Sequence, residues 1–389
     1  MSSRQRMLTA LSGEKPDITP CSFMLFNGLK AECKSCLEFI QRQLDLGLDA
    51  FVQIPPRPPD IVNDHYNLHG LPVSYSPEIA LREWKENIES ERYPILIKEY
   101  ATPAGVLRAE VRQDPEWPWG DYVPFLDDYL VGRSRKFIVD SPQDLEALEY
   151  LLVPPTNVEM DEFRVESELI LAFAREYDLL VTGGWGVGAD LIGWIYGLQR
   201  LPYAVFDDPD FIRELLGIIA EWNHTRMEVV LQAGVDLYIK RAWYENCDYF
   251  TPRHFRQFIR PILEAEIELA HSYGAQFGYI MTSKCMPLLD DFREVGVDVL
   301  IGVDPAQWDL EVAKEKLSGR VCLWGGVNGH MTVELGNQEQ VRSEVQRALQ
   351  IFGESGGFIL SPVDNVREYT AKAKGNVSAL IDEWQHYPG

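Results

Sequence analysis

No run of apolar residues in this sequence approaches the ~18 that a membrane-crossing helix requires. The opening stretch, MSSRQRMLTALSGEKPD, lacks the apolar centre of a secretory leader and reads as an amphipathic helix followed by a turn. Six cysteines in 389 residues are too few for a disulfide scaffold. These absences lead to the expectation of a cytoplasmic protein with free thiols, in which the Asn-x-Ser/Thr matches at Asn223 and Asn376 are accidental. Positive charge is also scarce: 36 basic against 60 acidic side chains leave a net charge of −24. That balance argues against nucleic acid, whose phosphates need a basic surface, and suits a protein partner of complementary charge. A dinucleotide-binding turn is missing as well. Gly184, Gly186 and Gly188 in GGWGVG are spaced Gly-x-Gly-x-Gly, with Ala189 beyond them.

What is present is an alternation. ITPCSFMLF (18–26) has the make-up of a strand, CLEFIQRQLDLGL has helical spacing, and AFVQIPP is a second strand. Residues 56–135, rich in Pro, Trp, Tyr and charge, read as an insertion or lid made of hairpins. From about residue 136 the rhythm is regular. Apolar strands at 179–188, VDLYIKRAW, AQFGYIMTS, VDVLIGVDPA, RVCLWGGVNG and GGFILSPVDN are each preceded by a helix, and a last helix spans 366–385. Strands that alternate with helices form βαβ units on a parallel sheet. About eight strands predict a single (β/α)8 TIM barrel with an N-terminal insertion; a doubly wound sheet is the alternative.

Barrels carry their chemistry at the carboxyl ends of the strands. Those ends hold Asn27, Trp185, Trp243, Glu245, Cys247, Cys285, Asp304, His330, Asp364 and Asn365. Glu245, His330 and Asp364 are the candidate catalytic groups, and Asn27, Trp185, Trp243, Asp304 and Asn365 the candidate substrate contacts. Asp304 and Asp364 have a simpler reading as caps of the helices that follow. Cys247 and Cys285 follow adjacent strands, so a zinc ion held by both, with Glu245 and His330 nearest as further ligands, is weighed against two free buried thiols. Cys322 reads as core, and Cys33-Lys34-Ser35-Cys36 as structural despite its redox spacing. Trp117 and Trp119, with Trp185 and Trp243, are candidates to wall an aromatic pocket; the alternative is that they form the insertion's own small core.

Several stretches carry a resemblance: RQRMLTALSGEKPDITP, YATPAGVLRAEVR, VDSPQDLEAL, TPRHFRQFIRPIL, MPLLDDFREVGVDVLIGVDPAQ, CLWGGVNG and GGFILSPVDNV. Together they resemble the uroporphyrinogen decarboxylase superfamily over nearly the whole chain, and its cobamide-dependent methyltransferases in particular. The paired arginines that hold substrate carboxylates in the decarboxylases are absent from the corresponding FMLFNGLKAE. The methyltransferases' zinc ligands, His-x-Cys and a distant Cys, fall here on Ile280, Thr282 and Val363, none of which binds metal. The resemblance therefore implies an O-demethylase component. Such an enzyme moves a methyl group from a small donor, a methoxylated aromatic, to the cobalt of a corrinoid carried by a separate protein, with zinc placed, if at all, on the shifted Cys247–Cys285 pair. A decarboxylase-like enzyme acting on a small acid, with Lys240, Arg241 and Lys284 as its cations, and a non-catalytic binding barrel remain alternatives. A homo-oligomer is left open.

Overall fold

The computed structural model describes residues 1–56 and 70–387. Seven parallel strands make one curled sheet, ordered along the chain. They are β1 (Phe51–Ile54), β6 (Leu180–Gly186), β7 (Leu237–Arg241), β8 (Gln276–Ile280), β9 (Val299–Val303), β10 (Cys322–Asn328) and β11 (Phe358–Val363). Val299–Val303 and Phe358–Val363 are buried on both faces, as expected of strands with the barrel interior on one side and helices on the other. The interior side is a distinct apolar cluster of Leu180, Leu237, Ile239, Ile280, Val299, Ile301, Cys322, Trp324 and Ile359. The helix Ser3–Leu11 plugs its lower end with Met7, Ala10 and Leu11. Arg4 clamps that plug to Asp236 at 2.6 Å, and Arg6 to Asp49 at 2.6 Å, both at the amino ends of strands.

The expected first strand, 18–26, shrinks to one rung. Cys21 bridges Leu360, with Ser22 N–H donating to Leu360 O and Leu360 N–H to Pro20 O, while Asp49 N–H donates to Cys21 O. This rung fills the gap between β11 and the entry to β1, so the barrel closes with seven full strands and a fragment of an eighth. Pro20 has no N–H to extend the ladder.

The expected hairpins of the insertion form an antiparallel sheet of β2 (Ala80–Glu86), β3 (Ile95–Thr102), β4 (Gly105–Arg112) and β5 (Ser134–Lys136). Residues 57–69 of that segment lie outside the described residues. Trp117 is buried and Trp119 partly buried in the apolar cluster with Val111 and Phe125, so both serve core packing. Among the described residues no helix is long and apolar enough to cross a membrane.

The glycine run at the end of β6 has a packing explanation. Gly184 sits at φ +122°, where a Cβ would lie 2.4 Å from Ile239 O, and a Cβ on Gly188 would lie 1.9 Å from Glu245 Oε1. Three π-helical turns, Gly193–Gly197, Phe255–Ile259 and Gly329–Glu334, follow β6, β7 and β10 at the carboxyl side of the barrel. Such turns recur at functional sites.

Candidate active site

A cavity of about 500 Å3 opens at the carboxyl ends of the strands. Strand alternation decides what reaches it. Leu237 and Ile239 point into the barrel, so Arg241 does too, and its guanidinium emerges above the apolar floor. It lies over Trp243 at 4.6 Å and Trp194 at 4.7 Å. Its Nε donates to Asp190 at 3.0 Å and its Nη2 to Asp128 at 3.2 Å. Asp128 comes from the helix Asp128–Arg133, between β4 and β5, and also accepts from Trp194 Nε1 at 2.9 Å. One carboxylate thus ties the antiparallel sheet's segment to the barrel mouth.

Trp243, Tyr244 and Tyr249 form the aromatic wall, and Trp185 packs against Trp243 with ring centroids 6.1 Å apart. Opposite them stand Asp304, Asp364 and Arg367, with Thr282 and Val363 between. Of the three positions where the resemblance places metal ligands, Thr282 and Val363 face the cavity with a hydroxyl and an apolar side chain, while Ile280 lies in the apolar barrel interior. Trp185, Lys284 and Asp364, all at the mouth, hold left-handed backbone with φ of 67°, 52° and 68°. Strain of this kind costs on the order of 1–3 kcal/mol per residue and is maintained by surrounding structure.

Asp364 does not cap the final helix. That helix begins at Ala371 and is capped by Thr370, because the intervening loop is pinned by Glu334, whose carboxylate accepts the backbone N–H groups of Arg367 and Glu368. Asp364 instead pairs with Arg367 at 3.2 Å. Burial raises its carboxyl pKa above the usual range; Arg367 opposes this, and Asp304, Glu334 and Asp128 add to it. Asp304 likewise caps no helix, since the next one is capped by Asp309. Its carboxylate accepts Ala306 N–H at 2.9 Å and both of its oxygens accept Asn328 Nδ2, at 3.0 and 3.1 Å.

Other expected residues lie elsewhere. Glu245 turns behind the strands and is fully buried, accepting from Tyr279 Oη and from Ala189 N–H at 3.0 Å. Lys240, pointing the opposite way from Arg241, lies 3.6 Å from it and 2.6 Å from Glu266. This is an internal network between barrel and helices, away from the cavity. His330 is exposed on the rim with its Nδ1 2.7 Å from Glu334. Asn365 accepts Asn27 N–H at 3.1 Å and so joins the last strand's loop to the first segment. Cys247 and Cys285 are brought together by Cys247 N–H donating to Lys284 O at 3.0 Å. Among the described residues, however, no three His, Cys, Asp or Glu side chains gather as metal ligands. The expected zinc set of Cys247, Cys285, Glu245 and His330 is not assembled, because its last two members are committed to Tyr279 and Glu334. The thiol pair alone does not fit a zinc site, which needs four ligands or three and an open position.

Arg241 was expected at the mouth only under the decarboxylase-like alternative, and Asp128 and Asp190 were not among the expected contacts. Alternation from Ile239 also puts Arg241 there; no local signal marks Asp128, 113 residues away in sequence. Asp190 is fully buried, and burial pushes its carboxyl up to about 6 against the pull of Arg241. An unfolded aspartate titrates near ~4. The folded chain therefore holds a proton between about pH 4 and 6 that the unfolded chain releases, and this stabilisation is lost as pH rises through about 6. The stability difference between Asp190→Asn and the parent should accordingly shift by ~2–3 kcal/mol in the variant's favour from pH 4 to 7. Urea melts at a series of pH values check this; parallel curves would refute it.

Fold and cavity together define an α/β barrel whose polar groups converge at the strand carboxyl ends. The chain belongs to the uroporphyrinogen decarboxylase (URO-D) family, which residues 135–381 match. The uroporphyrinogen decarboxylase of Thioalkalivibrio sulfidiphilus is 24% identical over 255 residues, 62% of this chain and 69% of that protein. That of Chlorobium limicola is 26% identical over 164 residues, 40% of this chain, and the match spans only 44% of that relative's length. Among solved structures, a methyltransferase from Methanosarcina mazei is similar over 100% of both chains, with a TM-score of 0.60 at 19% identity. A B12-independent methionine synthase from Shewanella sp. W3-18-1 covers 95% of this chain and 97% of its own, with a TM-score of 0.50 at 11% identity. These two establish the shared fold.

Proposed function

We propose that this protein transfers a methyl group from a methoxylated aromatic donor to the cobalt of a corrinoid carried by a separate protein. The observation that carries the reading is Asp364, a carboxyl with raised pKa set across the cavity from Trp243, Tyr244 and Tyr249. Flat rings stack on such walls. Loss of the methyl group from an aryl ether leaves negative charge on the aryl oxygen, and a carboxyl whose pKa is raised by burial can supply a proton there. The corrinoid, when docked, supplies the nucleophilic reduced cobalt. The tasks of this chain are to bind the ring, to orient the methoxy group towards the open mouth and to protonate the departing oxygen.

The methyltransferase fold neighbour is consistent with this reading. The activity named for the curated relatives, decarboxylation, calls for cations that hold substrate carboxylates. The cavity's two arginines, Arg241 and Arg367, are each already paired with aspartates. Incubation with a methoxyarene and chemically reduced free cobalamin should release the corresponding phenol, scored by chromatography. No phenol above a protein-free control, with a carboxylated substrate losing carbon dioxide instead, would reverse the choice.

A further inference from the structure

The cavity's charges extend that reading to a choice among donors. Four aspartates line it: Asp128, Asp248, Asp304 and Asp364. Against them stand two arginines, and Arg241 is shared further with the buried Asp190. Asp304 is firmly held. Three N–H···O contacts, two from the Asn328 amide and one from Ala306 N–H, fix its carboxylate, and none of these donors is a cation. Asp364 faces the same space and is 3.2 Å from Arg367. An incoming carboxylate would meet this set without an uncommitted guanidinium, whereas a neutral ring bearing a hydroxyl could donate to an aspartate.

We infer that Asp304 is a specificity-determining residue, which admits uncharged hydroxylated methoxyarenes and rejects their carboxylated analogues. The inference rests on the methoxyarene reading above and concerns binding alone, so it can be tested without a corrinoid. Like charges brought together in a confined site cost several kcal/mol, and a fixed acceptor rewards a ring that can donate to it.

The test is isothermal titration calorimetry of the full chain with ortho-methoxyphenol and with the same ring carrying a para-carboxylate. The parent should bind the phenol at least about tenfold more tightly than the carboxylate. Asp304→Asn keeps an acceptor and removes the charge, so it should bring the two affinities to within about threefold, chiefly by tightening the carboxylate. A urea melt matching the parent's would show Asp304→Asn to be folded, and Asp248→Asn, a substitution elsewhere on the cavity lining, should narrow the gap less. Equal affinities in the parent, or a gap that survives in folded Asp304→Asn, would overturn the inference and leave the methyl-transfer reading intact. Binding of neither ring to the folded parent would overturn the methoxyarene reading itself.

Discussion

Lys240→Met should lose about 3–5 kcal/mol of stability. The side chain leaves β7 on the helix-facing side, where its ammonium is 1% exposed. It meets Glu266 of the helix Arg260–Ser272 at 2.6 Å and Glu245 at 3.6 Å. Burial alone would lower its pKa, but the two glutamates outweigh burial and raise it. Methionine fills a similar volume and leaves two buried carboxylates, one held by Asn223 at 2.7 Å and the other by Tyr279 and Ala189. The expected loss is a large share of the ~5–15 kcal/mol that folded domains possess. Adding Glu266→Gln should recover part of it, because one of the two stranded charges is then gone. Urea unfolding of the three proteins decides the matter, and a loss below ~1 kcal/mol for the single variant would mean that the network contributes little.

Asp364→Asn should reduce kcat for methyl release by roughly 10²–10⁴-fold, the usual value of a positioned proton donor. The amide keeps the shape of the side chain and cannot deliver a proton to the aryl oxygen. The parent's pH profile carries an independent signature. Because burial raises the Asp364 pKa, the protonated, working form is present below that pKa, and kcat should fall as pH rises through it. In Asp364→Asn that alkaline decline should vanish along with most of the rate. A methoxyarene with a strongly electron-withdrawing ring needs less help at the departing oxygen, so it should suffer least from the substitution. An unchanged rate on an ordinary donor would remove Asp364 from the chemistry.

Much of the barrel was legible because its strands are short, apolar and rich in β-branched residues, and because helix-forming segments separate them. Val299–Val303 and the helix Gln338–Phe352 fell where the pattern put them. Pattern failed where tertiary contacts decide. The segment around Cys21 has strand composition, yet Pro20 and the geometry of closure leave it one rung. Residues 366–370 continue an apolar and charged rhythm, yet Glu334 holds them as a loop. At the site, the rule that strand ends carry function led to Trp243, Asp304 and Asp364, which line one cavity. It misplaced Glu245, because a turn closed by Glu245 N–H to Ala242 O at 3.1 Å carries that residue behind the strands. Nothing in the spacing could show that Asp128 would return to pair with Arg241.

The closing rung has a consequence for how the chain is made. Thr19 O accepts from Trp384 Nε1 at 2.7 Å across 365 residues of sequence, and Cys21 waits on Leu360 in the same way. A nascent chain leaving the ribosome cannot complete this seam until Trp384 has emerged. Until then residues 1–22, including the plug, have no seam to close and the apolar barrel interior stays open at one side. Contacts of such long sequence separation form slowly, and the open intermediate exposes unpaired strand edges. Productive synthesis should therefore lean on holdase chaperones far more than the finished molecule's stability would suggest.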